Sequence, residues 1–229
     1  MKKIITCAML LVAGIAAKAV EIKQMITVFE TQKDIATEQV KIDSRFCRVN
    51  IIGGQQTVLN GKLEAMVDHD DYNIEVTEAG GVTTVVVVTP KEALSTFSGE
   101  LTITVGEGKD VEVISTTGYV TVKGITNSKV KVRTGQGKVV VSDTNCEVDI
   151  ETKNGTLTAT NMKGNVKLGS TRGAITLENI EGTLGVDAMD GALVANNLKG
   201  NITIATTAGT QTYTNVEGNM SLKASTGAI

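Results

Sequence analysis

The feature that most constrains this chain is a repeat of glycines at nearly constant spacing. They lie at Gly118, Gly137, Gly155, Gly173, Gly191, Gly209 and Gly227. The first interval is 19 residues and every later one is 18. Self-similarity at a fixed period of this length is typical of a solenoid, in which each repeat is one structural unit stacked on the next.

Apolar residues recur at fixed positions within each repeat. With Glu147–Gly164 as the template, the second, fourth, eleventh and thirteenth positions are apolar in nearly every copy. Residues two apart lie on one face of a β-strand, so each repeat is predicted to hold two short strands with a glycine corner between them. An apolar sixteenth position, such as Met162 or Ile180, predicts a third, shorter side. The pattern predicts an all-β fold, a single-stranded, three-sided β-helix with 18-residue coils.

Polar residues also form columns along the repeat. Charges alternate in sign at the third position (Glu112, Lys131, Asp149, Lys167) and at the seventeenth (Lys163, Glu181, Lys199, Glu217). Asparagines precede the apolar sixteenth position at Asn161, Asn179, Asn197 and Asn215. Coils of a parallel stack lie about 4.8 Å apart, so alternating charges attract. Asparagine tolerates left-handed backbone and can hydrogen-bond along a stack. We interpret these columns as register-keeping features, not as ligand sites.

Two runs of sequence carry a resemblance to a known family. They are GELTITVGEGKDVEVISTTGYVTVKGI at residues 99–125 and GNVKLGSTRGAITLENIEG at residues 164–182. Their recurring G-x-[VIL]-x-[VIL] strands resemble the bacterial putative-adhesin β-solenoid family. The resemblance covers residue 99 to the C-terminus well and residues 39–98 loosely. It implies a right-handed β-helix of secreted or envelope-attached proteins, and it brings no catalytic, cofactor or ligand residues with it.

The first 19 residues have the pattern of a secretory signal peptide. Lys2 and Lys3 precede an apolar run over residues 4–16, and Ala17-Lys18-Ala19 matches an A-x-A cleavage site. The apolar run is too short to span a membrane comfortably. Of the 22 basic residues three lie in this segment, so 19 remain against 25 acidic residues. We therefore expect an exported protein, at the cell surface or in the periplasm, that does not bind nucleic acid.

The rest of the chain is predicted to form one β-solenoid domain over residues 20–229. Residues 110–229 supply the regular coils. Residues 20–109 are expected to form irregular strands, with residues 39–109 as irregular coils or a sheet that covers the first end of the solenoid. Within them, residues 74–77 are predicted to pair with residues 82–89 as a hairpin or a coil corner.

Two cysteines remain outside the signal peptide, Cys47 and Cys146. Export would permit a disulfide between them, but they lie in different parts of the chain. The sequence leaves open whether they form a bridge or two separate thiols. A zinc site of the usual kind is not expected, because the chain has a single histidine, His69, and no C-x-x-C motif.

Catalysis is not expected on this scaffold. The carboxylates that could serve a polysaccharide-active enzyme are Asp149 and Glu151, and Asp187 and Asp190. Asp149 shares its column with Lys131 and Lys167, and Asp187 has Gly169 and Ala205 as its column neighbours, so neither pair is expected to form a clustered site. We predict no enzyme activity, no cofactor and no metal.

An acidic loop over residues 68–73 raises the question of calcium. Asp68, Asp70, Asp71 and Asn73 could supply hard oxygen ligands. The loop lacks the glycine and the distal glutamate of an EF-hand, and it lacks the repeat of calcium-binding β-rolls. We interpret it as a solvated turn.

Two functions remain from different classes. The first is an adhesin-like surface protein whose long faces bind a protein or glycan through repeated weak contacts. The second is a periplasmic structural or regulatory envelope component that binds another protein. In the last coil Gln211 and Tyr213 replace apolar residues. The sequence leaves two interpretations open. Either this coil frays and its core is partly hydrated, or its edge binds another subunit end to end.

Overall fold

A computed structural model describes residues 24–91 and 97–226. These residues contain strands and turns, and no helix is found among them. The strands are β1 (Ile26–Asp34), β2 (Gln39–Arg45), β3 (Arg48–Gly54), β4 (Val58–Ala65), β5 (Asn73–Ala79), β6 (Val82–Val88), β7 (Phe97–Gly106), β8 (Asp110–Lys123), β9 (Thr126–Arg172), β10 (Ile175–Asp190), β11 (Leu193–Ala208) and β12 (Gln211–Ala224). The predicted signal peptide lies outside the described residues.

The strands β8 to β12 form a parallel stack of coils. Val120 of β8 pairs with Val139 of β9, an offset of 19 residues. Leu157 pairs with Ile175, which pairs in turn with Leu193, at offsets of 18 residues. The prediction of an all-β solenoid with 18-residue coils is confirmed. Hydrogen bonds between coils follow the glycine repeat read from the sequence.

The interior is filled by the apolar columns that the repeat predicts. In the coils that follow Ile150, each buried residue at the second, fourth, eleventh, thirteenth or sixteenth position stacks directly on the equivalent residue of the coil before it. One further inward column is polar and was not recognised in the sequence. At the sixth position it contains the buried residues Ser115, Thr134, Thr152, Ser170 and Thr206. Thr134 donates its hydroxyl to the carbonyl oxygen of Gln136 at 3.1 Å, whereas the buried hydroxyls of Thr152 and Ser170 have no hydrogen-bond partner among the described residues.

The repeat glycines are required because coils approach one another too closely for a side chain. A Cβ atom on Gly173 would lie 1.8 Å from the carbonyl oxygen of Gly155, and the φ of Gly173 is 135°. Both conditions exclude L-residues that carry a Cβ. The corner between the two strands of each coil is therefore made of stacked glycine backbone.

The asparagine column forms the left-handed corner that the sequence predicts. Its residues have φ values of 53–56°, from Asn161 to Asn215. Each side-chain amide donates to the residue one coil earlier: Asn179 Nδ2 lies 2.9 Å from Asn161 Oδ1, and Asn197 Nδ2 lies 2.9 Å from Asn179 Oδ1. The ladder begins at Asp143, with φ 56°, whose Oδ1 accepts from Asn161 at 2.9 Å. The sequence pattern had not included Asp143 in this column.

Asp143 is expected to give the ladder a pH dependence. The hydrogen bond from Asn161 holds the pKa of the Asp143 carboxyl below its usual range. A lowered folded-state pKa stabilises the fold above the ordinary aspartate pKa, and this stabilisation is lost as the pH falls through the lowered value. An Asp143→Asn variant keeps the acceptor oxygen without the titration. Urea unfolding at pH 7 and at pH 3 should therefore show a smaller difference for the variant than for the parent protein. An equal difference in both proteins would contradict this role of Asp143.

The N-terminal part adds irregular coils and then closes the stack with antiparallel strands. β2 lies between β6 and β8, and β3 lies between β7 and β8, all in parallel pairing. β5 then pairs antiparallel with β6, and β1 and β4 continue antiparallel from β7. The β5–β6 pair is the predicted hairpin. Because antiparallel pairing replaces the parallel stack here, the coil repeat does not continue past this end.

Candidate functional site

The outward residues of the regular coils lie on three faces. The first face contains the third, fifth and seventh positions, and the second contains the tenth, twelfth and fourteenth. The third face contains the fifteenth position, which is the asparagine ladder, and the seventeenth. Each face is a set of columns with one residue per coil, so neighbouring side chains in a column belong to successive repeats.

The first face carries a groove of about 910 Å³ that crosses six successive coils, from Ile114 to Ala205. Its depth comes from small residues at positions where other coils carry long side chains, Gly169 and Gly185 among them. A Cβ atom on Gly185 would meet no atom within 4 Å, so the space above it is open. Ile114 and Met189 line the same groove and are each 51% exposed. We call this surface the first-face groove.

Arg133 organises the charges in the first-face groove. Its Nη2 atom lies 2.8 Å from Asp149 Oδ2, and its Nε atom lies 3.0 Å from Glu151 Oε2. Asp149 and Glu151, the first pair of catalytic candidates, are thus brought together around one cation. This arrangement is a three-residue ion-pair cluster. The cluster depends on Arg133, which is not a member of the charge columns identified in the sequence.

The second pair of candidates, Asp187 and Asp190, has no other acid as an in-register neighbour. Their in-register neighbours are Gly169 and Ala205 for Asp187, and Arg172 and Ala208 for Asp190. Across the described residues, no three side chains of His, Cys, Asp or Glu converge as they would around a metal ion.

The charge columns are only partly continuous. At the seventeenth position Lys163 pairs with Glu181 at 3.2 Å, and Lys199 pairs with Glu217 at 3.2 Å. At the third position Glu112 is bound on both sides, by Lys41 at 3.6 Å and by Lys131 at 3.3 Å. The next residue of this column, Asp149, forms its ion pair with Arg133 at the fifth position instead of with a lysine of its own column. Such exposed pairs stabilise by about 0–1 kcal/mol each.

The acidic loop of residues 68–73 is an exposed turn. The backbone N–H of Tyr72 donates to the carbonyl oxygen of His69 at 3.2 Å, and the N–H of Asp71 donates to His69 Nδ1 at 3.1 Å. His69 also lies 3.6 Å from Asp71 Oδ2. The loop's polar groups are therefore engaged locally, while Tyr72 turns inward and stacks on Phe97 with ring centroids 5.6 Å apart.

The two cysteines are separate buried thiols, which settles the alternative that the sequence left open. Burial raises the pKa of Cys47 to about 12 and that of Cys146 to about 11. Both thiols are therefore protonated at neutral pH and unsuited to nucleophilic chemistry. Cys47 packs against the backbone of Gly99, where an added Cβ would lie 2.2 Å from its sulfur.

A cluster of two cations around an aromatic ring lies on the second face. Arg48 Cζ is 5.4 Å from the ring centroid of Tyr119, and Lys138 Nζ is 5.8 Å from the same centroid. Tyr119 is half-buried, whereas Arg48 and Lys138 are exposed. The cluster could not be recognised in the sequence, because Arg48 lies 71 positions away from Tyr119 in the chain and is brought to it by the pairing of β3 with β8.

The last described coil ends in a hydrogen-bonded polar group. Gln211 is buried, and its amide donates to Thr206 Oγ1 at 2.5 Å. Tyr213 donates its hydroxyl to Gln211 Oε1. Burial raises the pKa of Tyr213 to about 12, so the hydroxyl remains a donor at neutral pH. Gln211 and Tyr213, the polar residues that occupy apolar positions of the repeat, thus form a hydrogen-bonded network. Leu222 in the same strand, β12, is 36% exposed. Residues 227–229 lie outside the described residues.

These features define the class of the molecule, a parallel β-solenoid with polar outer faces and an apolar core. No helix able to span a bilayer occurs in the residues that the structure describes. No protein-family model matches the chain, and no curated protein matches it in sequence.

Solved structures to which this chain is similar come from several bacteria. One is a putative cell adhesion protein from Clostridium sporogenes, with 12% identity over 88% of this chain and 99% of that one, at a TM-score of 0.35. A putative adhesin from Bacteroides fragilis has 14% identity over 90% and 98%, at 0.36. A putative adhesin from Parabacteroides merdae has 15% identity over 91% and 97%, at 0.32. The likeness is to the β-solenoid arrangement alone and identifies no ligand.

Proposed function

We propose that this chain is an exported, non-catalytic β-solenoid that acts as an adhesin-like surface binding protein. The observation that carries the proposal is the first-face groove, which crosses six coils and is open along its length. Its walls combine exposed apolar side chains, Ile114 and Met189, with the charged residues Lys153, Lys167 and Asp187. A surface of this form suits an extended ligand that lies along the solenoid axis.

The repeated construction favours many weak contacts over one tight pocket. Adjacent coils present equivalent backbone positions about 4.8 Å apart, so a long ligand meets a new set of side chains at each coil. Several weak contacts made by one chain add to a strong overall attachment when the geometry allows them to form together. This is the binding mode that a surface attachment protein needs.

Support for a non-catalytic role comes from the acidic residues of the groove. Asp149 and Glu151 share Arg133, and Asp187 lies between Gly169 and Ala205 in its column. A glycosidase needs two carboxyl groups that flank the bond to be cleaved, one as acid and one as base or nucleophile. In this arrangement Asp149 and Glu151 act as ion-pair partners of a cation, and Asp187 has no second acid beside it in its column.

The proposal is tested by location. Intact cells of the native strain are treated with an external protease, with a periplasmic protein as the control for envelope integrity. We expect the chain to be cleaved while the control protein survives. Protection of the chain until the outer membrane is opened would overturn the surface role.

A second function is favoured by a different observation. Among the described residues, β12 pairs only with β11, whereas the N-terminal end of the stack is closed by antiparallel strands. The alternative is a periplasmic structural or regulatory envelope component that binds another protein, or a second copy end to end, through the β12 edge. Crosslinking in cells and sedimentation of the purified protein test it. A strict monomer at high concentration, with no crosslinked partner, would remove this alternative.

A further inference from the structure

The second-face cluster is built from three successive strands of the sheet. β3, β8 and β9 are neighbours in that order, and Tyr119 and Lys138 are in-register partners. Arg48 immediately precedes Val49, which pairs with Val120 next to Tyr119. The two cations therefore approach the ring from the strands on either side of it. We call Arg48, Tyr119 and Lys138 the cationic cluster.

The cations of the cationic cluster have no ion-pair partner among the described residues. In the described parts of the chain, neither Arg48 nor Lys138 forms an ion pair with a carboxylate. Most other charged columns of this protein do contain such pairs. The in-register neighbour of Arg48 on its other side is Glu100, but one of its carboxylate oxygens, Oε1, accepts a hydrogen bond from Asn50 Nδ2 at 2.8 Å. The formal net charge of the whole chain is −3, so this local excess of positive charge runs against its composition.

The surroundings of the cluster are ordered and polar. Asn50 accepts a hydrogen bond from Thr121 at 2.6 Å and donates to Thr102 at 3.3 Å, which ties three neighbouring strands together. Like charges on nearby strands repel one another, and the face of an aromatic ring attracts cations. The attraction of both cations to the Tyr119 ring therefore offsets part of the repulsion between them. Both cations are exposed and accessible to an external anion.

We propose that the cationic cluster is a binding site for an acidic polysaccharide, a glycan whose sugar rings carry carboxylates. A guanidinium binds a carboxylate through two parallel hydrogen bonds, and an ammonium adds a second point of charge. The cations lie on strands two coils apart, so they fit a chain that carries acidic groups at regular intervals. The second face extends beyond them with exposed threonines in the neighbouring twelfth column, such as Thr176 and Thr212, which can hydrogen-bond to sugar hydroxyls.

This site deepens the proposed surface-binding function, on which its biological meaning rests, but it lies on a different face from the first-face groove. A nucleic acid is a poorer fit, because its phosphates call for an extended basic surface. Here the positive charge is confined to one cluster on an acidic chain.

The test measures binding of polygalacturonate to the purified protein. We expect the protein to bind polygalacturonate and to bind its methyl ester, which lacks the charges, at least tenfold more weakly. The double variant R48Q/K138Q should lose at least tenfold in affinity. The matched control K163Q removes an exposed lysine from the third face, outside the first-face groove and the cationic cluster, and should stay within twofold of the parent. Thermal unfolding confirms that both variants are folded.

Three results would overturn the proposal. They are no binding of polygalacturonate even at low salt, equal binding of its methyl ester, or equal loss in R48Q/K138Q and K163Q. Equally tight binding of dextran sulfate would also remove the assignment to carboxylates. The binding test and the protease treatment of cells can fail independently. A periplasmic location would reject the surface function, but it would not change the measured affinity for polygalacturonate.

Discussion

Replacing Gly173 by alanine should strongly destabilise the solenoid, as should a methyl addition at any of its equivalent corner glycines such as Gly137. The added Cβ would lie 1.8 Å from the carbonyl oxygen of Gly155, and the φ of 135° is one that alanine avoids. The obstacle is backbone, which cannot move aside as a flexible side chain can. Strain and overpacking together predict a loss of roughly 2–6 kcal/mol in the free energy of unfolding. Urea denaturation of the purified protein measures it.

Gly185 supplies the matched control. It lies in the same sheet, its φ is not positive, and an added Cβ would meet nothing within 4 Å. Alanine at this position should leave the stability unchanged or raise it by less than about 1 kcal/mol, because it restricts the unfolded chain. If the two variants were equally stable, the corner glycines would not be needed for close stacking of coils.

Truncation of Leu157 to alanine should have the second large effect. Leu157 is fully buried in the eleventh column and pairs in register with Ile175 of the next coil. The solenoid interior is narrow and continuous, so a missing side chain leaves a cavity between two coils. Substitutions of this kind cost about 2–5 kcal/mol, and denaturant unfolding should show a loss in this range.

The neighbouring Thr158 separates a core effect from a strand effect. It lies in the same strand and points outward on the second face, half-buried. Thr158→Ala should change the free energy of unfolding by no more than about 0.5 kcal/mol. Losses of similar size at positions 157 and 158 would contradict the alternation of inward and outward residues on which the coil assignment depends.

Columns made of a single type of residue were predictable from the sequence. Leu157, Ile175 and Leu193 repeat at the coil length and are buried where the pattern placed them. The asparagine ladder was predicted in the same way, because Asn179 and its equivalents combine a left-handed φ with hydrogen bonds along the stack. Asp143 belongs to that ladder, but its different residue type hid it from a search for repeated asparagines.

Contacts between different columns could not be predicted. Asp149 binds Arg133 instead of a lysine of its own column, because side-chain length and direction decide between partners at similar distance. The cationic cluster depends on the insertion of β3 beside β8, so that Arg48 reaches Tyr119 from a distant part of the chain. No local spacing in the sequence records that insertion.

The sequence by itself determined the repeat length, the inward columns and the glycine and asparagine corners. It could do so because each of these features depends on a residue and its equivalent in the next coil, at a fixed separation in the chain. The tertiary structure alone decided how β1 to β7 close the N-terminal end, where the first-face groove lies and which charges meet. Those outcomes depend on residues that are far apart in the chain, and on the space left where a small side chain such as Gly185 takes the place of a large one.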